Sequence, residues 1–162
     1  MNMDLIQHFI NACDSVLAQT LGSSIRMDNV SMDQDVYHSK GVAASIVLSG
    51  DVEGRVVLDV DPETAVRLAT TLYGIEKPES EEQVRETIGE LANQVIGNAV
   101  ATLNDEGFHF KVHPPDTSFG QGTAITEDTE ALLMRFDTGN GPVFLNIAVR
   151  YGHKQHAKSA SA

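Results

Sequence analysis

Positive charge is scarce in this chain. Its 162 residues hold 11 Lys and Arg against 23 Asp and Glu, a formal net charge of −12 at pH 7, and the sequence pI is near 4.7. Nucleic acid and anionic membrane surfaces reward basic patches, so neither is expected as a partner. Long hydrophobic runs are missing too: none approaches the roughly 20 apolar residues that span a bilayer. No charged-then-apolar signal segment opens the chain, whose first residues lead straight into an amphipathic helix. Cysteine is reduced to Cys13, which rules out an internal disulfide and fits a reducing, cytoplasmic setting. Cys13 projects from an apolar arc of Phe9, Ile10, Val16 and Leu17, the place of a buried core thiol rather than a reactive one. No set of His, Asp, Glu and Cys has metal-ligand spacing. His109, His113, His153 and His156 read as strand and tail residues, and no metal or cofactor is expected on this chain.

What is present is a clear order of elements. The length suits one domain with a proper core, expected over residues 1–152, with a flexible tail over 153–162. Hydrophobic periodicity predicts a first helix over Asp4–Leu21, stopping at Gly22. Strands follow at Ser24–Asn29, Val42–Leu48 and Arg55–Val60. Asp61 as N-cap and Pro62 at the first helical position start a short helix that ends before Gly74. Ser80 and Gln83 form a capping box for a long helix from Glu81 to Glu106, closed by Gly107. Further strands fit His109–His113, Ala131–Phe136 and Val143–Arg150, with an extra one near Gly122–Thr126 and a hairpin turn at Asn140-Gly141. The run from Ile46 to Leu58 can be laid on Leu133 to Leu145 without a gap. Pseudo-repeats of about 1–60 and 80–150 are therefore expected. The fold class is α+β, with two long helices side by side on an antiparallel-rich sheet.

The long helix is the most informative segment. A helix turns about 100° per residue. With Glu86 at zero, Glu90 falls near 40°, Asn93 near −20° and Gly97 near 20°, one narrow stripe. Val84, Ile88, Leu91, Val95, Ala99 and Thr102 fall opposite, as an apolar back. Most such stripes are solvated helix faces. Three details count against that here. Glu82, Glu86 and Glu90 repeat at i, i+4 and i+8, where like charges cost about 0.2–0.5 kcal/mol per pair. No Lys or Arg follows before Phe110. Asn93 sits mid-helix, where asparagine is a weak helix former. A face costly to its own helix is better explained by a cationic partner outside it.

The run Ile88-Gly89-Glu90-Leu91-Ala92-Asn93, followed by Gly97-Asn98, resembles the signature helix of the CheX members of the CheC/CheX/FliY family. These are bacterial chemotaxis phosphatases that act on the phosphorylated response regulator CheY. Their pattern is Asp or Ser, three residues, Glu, two residues, Asn, and a proline some twenty-odd residues later. Here the first position is Glu86, an acidic variant, and Pro114 and Pro115 stand close to the proline position, which falls nearer Asp116. The likeness extends over nearly the whole chain, through the N-terminal helix, the hairpin at Gly50–Gly54 and the short helix after Asp61.

The resemblance implies an internally duplicated CheC/CheX-like domain that dephosphorylates CheY. Asn93 would orient an in-line water, and Glu90 would pair with the partner's lysine. Glu86 would add charge at the rim, and Gly97 would let the partner approach the backbone. The phosphoryl group and Mg²⁺ would belong to the partner. CheX relatives pair as homodimers through sheet edges. On the first helix Asp4, His8 and Asn11 hold the matching spacing. His8 cannot present an anion there, so the chain reads as the one-site kind, with His8 an exposed surface histidine. The alternative is a non-catalytic module that binds or sequesters phosphorylated CheY or another chemotaxis or motor protein.

Overall fold

The structure is a computed structural model that describes residues 2–22, 25–33, 36–74, 76–124 and 130–152, over 29–33 by the backbone alone. Its elements in order are α1 (Met3–Leu21), β1 (Arg26–Asp33), β2 (Val42–Gly50), β3 (Val52–Val60), α2 (Pro62–Tyr73), α3 (Glu81–Asp105), β4 (Phe110–Val112), β5 (Asp116–Phe119), β6 (Ala131–Thr138) and β7 (Gly141–Tyr151). The seven strands form one sheet in the order β1-β6-β7-β3-β2-β4, with β5 also on β2. Every pairing in it is antiparallel. Its centre is the β3–β7 pair, where Leu58 faces Leu145. Each half of the chain lends an outer strand to the other half's hairpin: β1 lies on β6, and β4 and β5 lie on β2.

Alternation along the strands divides the sheet into two faces. Val42, Ala44, Ile46 and Leu48 of β2, Val56, Leu58 and Val60 of β3, and Val143, Leu145, Ile147 and Val149 of β7 join the main core. The three helices close that core. α1 buries Leu5, Ile6, Phe9, Ile10, Cys13, Val16 and Leu17, and α3 packs against both α1 and α2. Ile88 and Leu91 are essentially inaccessible on the back of α3, and truncating either to Ala should cost about 2–5 kcal/mol. Cys13 is a buried thiol, and burial pushes its pKa far up. The opposite face of the sheet carries a small cluster of Tyr37, Ala43 and Val57, with Leu133 against it.

Local chemistry fixes the helix ends. Asp61 accepts the Thr64 N–H at 2.8 Å, with Pro62 at the first position of α2. Ser80 accepts the Gln83 N–H at 3.2 Å. The Gln83 amide reaches past Ser80 to accept the Glu79 N–H at 2.7 Å, a capping box displaced by one residue. Gly107 takes positive φ just beyond α3.

Several expectations shift. Ser24 and the tail from His153 lie outside the described residues, and β1 runs on to Asp33. The extra strand falls at Asp116–Phe119 rather than near Gly122–Thr126. Within that expected range Ala124 makes one bridge, to His38, and Ile125 and Thr126 are outside the described residues. Pro114 and Pro115 donate no ladder hydrogen bonds, so the edge strand on β2 is split into β4 and β5. The second hairpin turns at Gly139-Asn140, with Thr138 facing Gly141. Gly141 instead opens β7 at φ +125°, where a Cβ would lie 2.2 Å from Thr64 Oγ1. Its missing side chain admits α2. In the ungapped overlay of the hairpins Asp51 lies on Thr138, one residue short of this turn.

Candidate functional site

α3 presents its polar stripe as one wall of an open cleft of about 510 Å³. The lining is Tyr73, Glu82, Arg85, Glu86, Gly89, Glu90, Asn93, Pro115 and Thr117. Glu86, Glu90, Asn93 and Gly97 are all exposed, while Ile88, Leu91, Val95 and Ala99 behind them are buried. The first three come together in the cleft. Gly97 lies beyond its lining, and a Cβ added there would meet nothing within 4 Å.

The side chains of the stripe are largely uncommitted. Among the described residues none of Glu82, Glu86 and Glu90 forms an ion pair, although all three lie along one cleft. Glu90 accepts a single long hydrogen bond from Gln94 Nε2, at 3.5 Å. Asn93 makes no side-chain hydrogen bond among the described residues. Three unpaired carboxylates and a free amide, fixed on a helix with a packed back, make an anionic surface with one neutral donor and acceptor set into it. Such a surface suits a partner bearing a cation beside a group that needs a positioned hydrogen bond. No group of three or more His, Cys, Asp or Glu that could hold a metal ion occurs among the described residues.

The second wall comes from elsewhere in the chain. Gly89 is buried beside the stripe, and a Cβ there would lie 3.4 Å from Thr117 Cγ2 and 3.8 Å from Pro115 Cγ. The small residue thus lets the segment around β5 lie alongside α3. Pro115, near the proline position of the family pattern, therefore belongs to the cleft. Tyr73, in the last turn of α2, is 47% exposed at its margin. Arg85, directly before the stripe, donates to Glu81 Oε1 at 3.0 Å and lies 5.7 Å from the centre of the Phe119 ring. Sequence reasoning missed Tyr73, Arg85 and Thr117. Arg85 was legible as a cation near −100° on the helical wheel; the other two enter only through tertiary packing.

Two residues differ from expectation. Thr102 is exposed, its hydroxyl donating to the Asn98 carbonyl at 3.2 Å. Leu103 takes the buried place because the covered face of α3 rotates towards its C-terminal end. His8 is half-buried rather than an exposed surface residue. Its Nε2 lies 2.8 Å from Glu106 Oε2, and its side chain is 23% exposed. The neighbours on that stripe are engaged as well: Asp4 accepts from the Tyr151 hydroxyl at 3.1 Å, and Asn11 accepts from Gln7 Nε2 at 2.8 Å.

An α+β domain with helices on one face of this antiparallel sheet is the architecture of the CheC-like superfamily. The CheC-like superfamily protein from Shewanella sp. PV-4 superposes with a TM-score of 0.80 at 25% identity, covering 93% of this chain and 99% of that one. The CheX–CheY complex with BeF3 and Mg²⁺ from Borrelia burgdorferi matches with a TM-score of 0.70 at 32% identity, covering 90% and 97%. The CheY-P phosphatase CheX of Thermotoga maritima is 22% identical over 126 residues, 77% of this chain and 81% of that protein. The family model described as chemotaxis phosphatase CheX matches residues 42–137. The chain belongs to the CheX family.

Proposed function

We propose that this protein is a phosphatase of a phosphorylated CheY-type receiver, and that Asn93 and Glu90 carry the reaction. The observation that carries this reading is the exposure of Glu86, Glu90 and Asn93 along one cleft of α3 in a chain of the CheX family. The Borrelia relative solved with CheY and BeF3, a mimic of a phosphoryl group, supports the choice of partner.

The substrate is an aspartyl phosphate on the partner, with its Mg²⁺ and a neighbouring lysine. An acyl phosphate already hydrolyses unaided, so acceleration requires a water held in line with phosphorus; positioning and electrostatics dominate such loose transfers. The Asn93 amide orients that water by hydrogen bonding. Being neutral, it adds no charge that would repel the phosphoryl oxygens. Glu90, one turn earlier, binds the lysine and fixes the register of docking. Glu86 reinforces the anionic rim, and Gly97 leaves the backbone open to the partner's loops. Phosphate release from phosphorylated CheY, measured with substoichiometric protein, tests the reading. Multiple turnovers per molecule support it; release no faster than without the protein rejects it in favour of a sequestering module.

A second copy of the chain is also proposed as a partner, paired through a sheet edge as the family resemblance implies. A monomeric mass by light scattering at working concentrations would contradict this. No helix among the described residues is long and apolar enough to cross a membrane.

A further inference from the structure

Beside the stripe the cleft holds two groups that the positioning of water leaves unused, one on α2 and one on α3 itself. Tyr73 is a large aromatic, 47% exposed, at the end of α2. Arg85 is the one cation among the residues lining the cleft. Its guanidinium is already held, by Glu81 Oε1 at 3.0 Å and beside the Phe119 ring at 5.7 Å. Phe119 is itself 38% exposed.

Arg85 stands apart from the residue that would position the water. Arg85 precedes Asn93 by eight positions, and at 1.5 Å per residue its backbone lies about 12 Å up the helix axis. Tyr73 offers no charge and sits on another helix. Half-exposed aromatics and pre-ordered arginines are instead the side chains that anchor protein interfaces, because each brings much contact area for little loss of freedom. Their placement also breaks the symmetry of the charge pattern. Glu82, Glu86 and Glu90 call for cations on the partner, and Arg85 beside them, bound to Glu81 through one nitrogen, keeps further N–H donors for an acid at one defined end.

We propose that Tyr73 and Arg85 form a second docking element that receives an apolar side chain and a carboxylate from the receiver's surface beside its phosphorylated aspartate, and so selects which receiver is bound. This rests on the phosphatase reading above. The element acts on affinity and specificity; Glu90 and Asn93 act on the phosphoryl group.

The test measures Kd for a BeF3-activated receiver and kcat and KM on the phosphorylated one, for the parent, Tyr73→Ala, Tyr73→Phe and Arg85→Glu. Tyr73→Ala should raise Kd and KM about tenfold or more, with kcat within about twofold of the parent. Tyr73→Phe should match the parent, because the ring rather than the hydroxyl makes the contact. Arg85→Glu should weaken binding, and changing an acidic residue of the receiver's docking face to Lys should restore part of it. Should Tyr73→Ala lose helical signal, Tyr73→Gln replaces it, keeping side-chain bulk on α2 without the aromatic ring. Folded variants that bind as tightly as the parent would overturn the docking element and leave the phosphatase reading standing. So would a fall in kcat at unchanged KM. A parent that neither binds nor turns over the receiver removes both.

Discussion

His8 Nε2 lies 2.8 Å from Glu106 Oε2, so the middle position of the α1 stripe ties that helix to the end of α3. Together with Asp4 on Tyr151 and Asn11 on Gln7, this leaves the α1 stripe engaged within the chain, whereas Glu86, Glu90 and Asn93 of the α3 stripe face outward without an ion pair. His8→Ala should therefore leave receiver affinity and turnover near parental values. Denaturation should show a loss of no more than about 1 kcal/mol, the scale of a partly exposed pair. A large fall in turnover in folded His8→Ala would mean that α1 is a working site.

Glu90 has no internal cation to lose. Glu90→Ala should thus weaken binding of the phosphorylated receiver by about 2–5 kcal/mol where the pair with the partner's lysine is desolvated, with no penalty to the fold. The deficit should shrink at high salt, which screens the parent's exposed charges. Unchanged affinity in a salt titration would remove Glu90 from the docking contact.

Gly97 separates stability from approach. It is exposed, with open space where a Cβ would stand. Gly97→Ala should stabilise the protein by about 0.5–1 kcal/mol through the helix backbone alone. Gly97→Trp should fold but weaken receiver binding sharply, by obstructing the partner's loops. If Gly97→Trp bound the receiver normally, the bare backbone would have no part in docking.

A buried acid gives the fold its own pH signature. Asp59 accepts hydrogen bonds from the Tyr37 hydroxyl at 2.6 Å, the Ser39 hydroxyl at 2.9 Å and the Lys40 N–H at 2.7 Å. Burial raises its pKa above the ordinary 3.8, against the pull of those bonds. A carboxyl that holds its proton more tightly when folded contributes stability that is complete below pH 3.8 and lost as pH climbs to the raised value. Asp59→Asn turns an amide NH2 towards a donor and should cost about 1–3 kcal/mol. Its shortfall from the parent should narrow as pH rises through that window. Chemical denaturation at stepped acid pH checks this; a gap that widened with pH would reverse the assignment.

The sequence carried the helices and the stripe because both are matters of period and cap. Asp61-Pro62, Ser80 with Gln83, and the apolar back of α3 state themselves locally. The far wall of the cleft did not. Asp116-Thr117-Ser118-Phe119 has the polar composition of a loop, and it becomes a strand only because β2 offers Ser45 to Val42 as partners. Tyr73 reaches the cleft through the packing of α2 against α3, a contact with no sequence period behind it. The His8–Glu106 pair likewise joins residues nearly a hundred positions apart, linked by no motif.

The central claim is that Asn93 positions the attacking water, and comparing Asn93→Ala with the parent tests it most directly. The change should keep the fold, since an exposed mid-helix Asn→Ala is neutral or mildly stabilising. Affinity for the BeF3-activated receiver should stay close to the parent's. Single-turnover phosphate release should lose most of its acceleration, a fall in rate without a fall in binding. Full acceleration retained by Asn93→Ala would contradict the account.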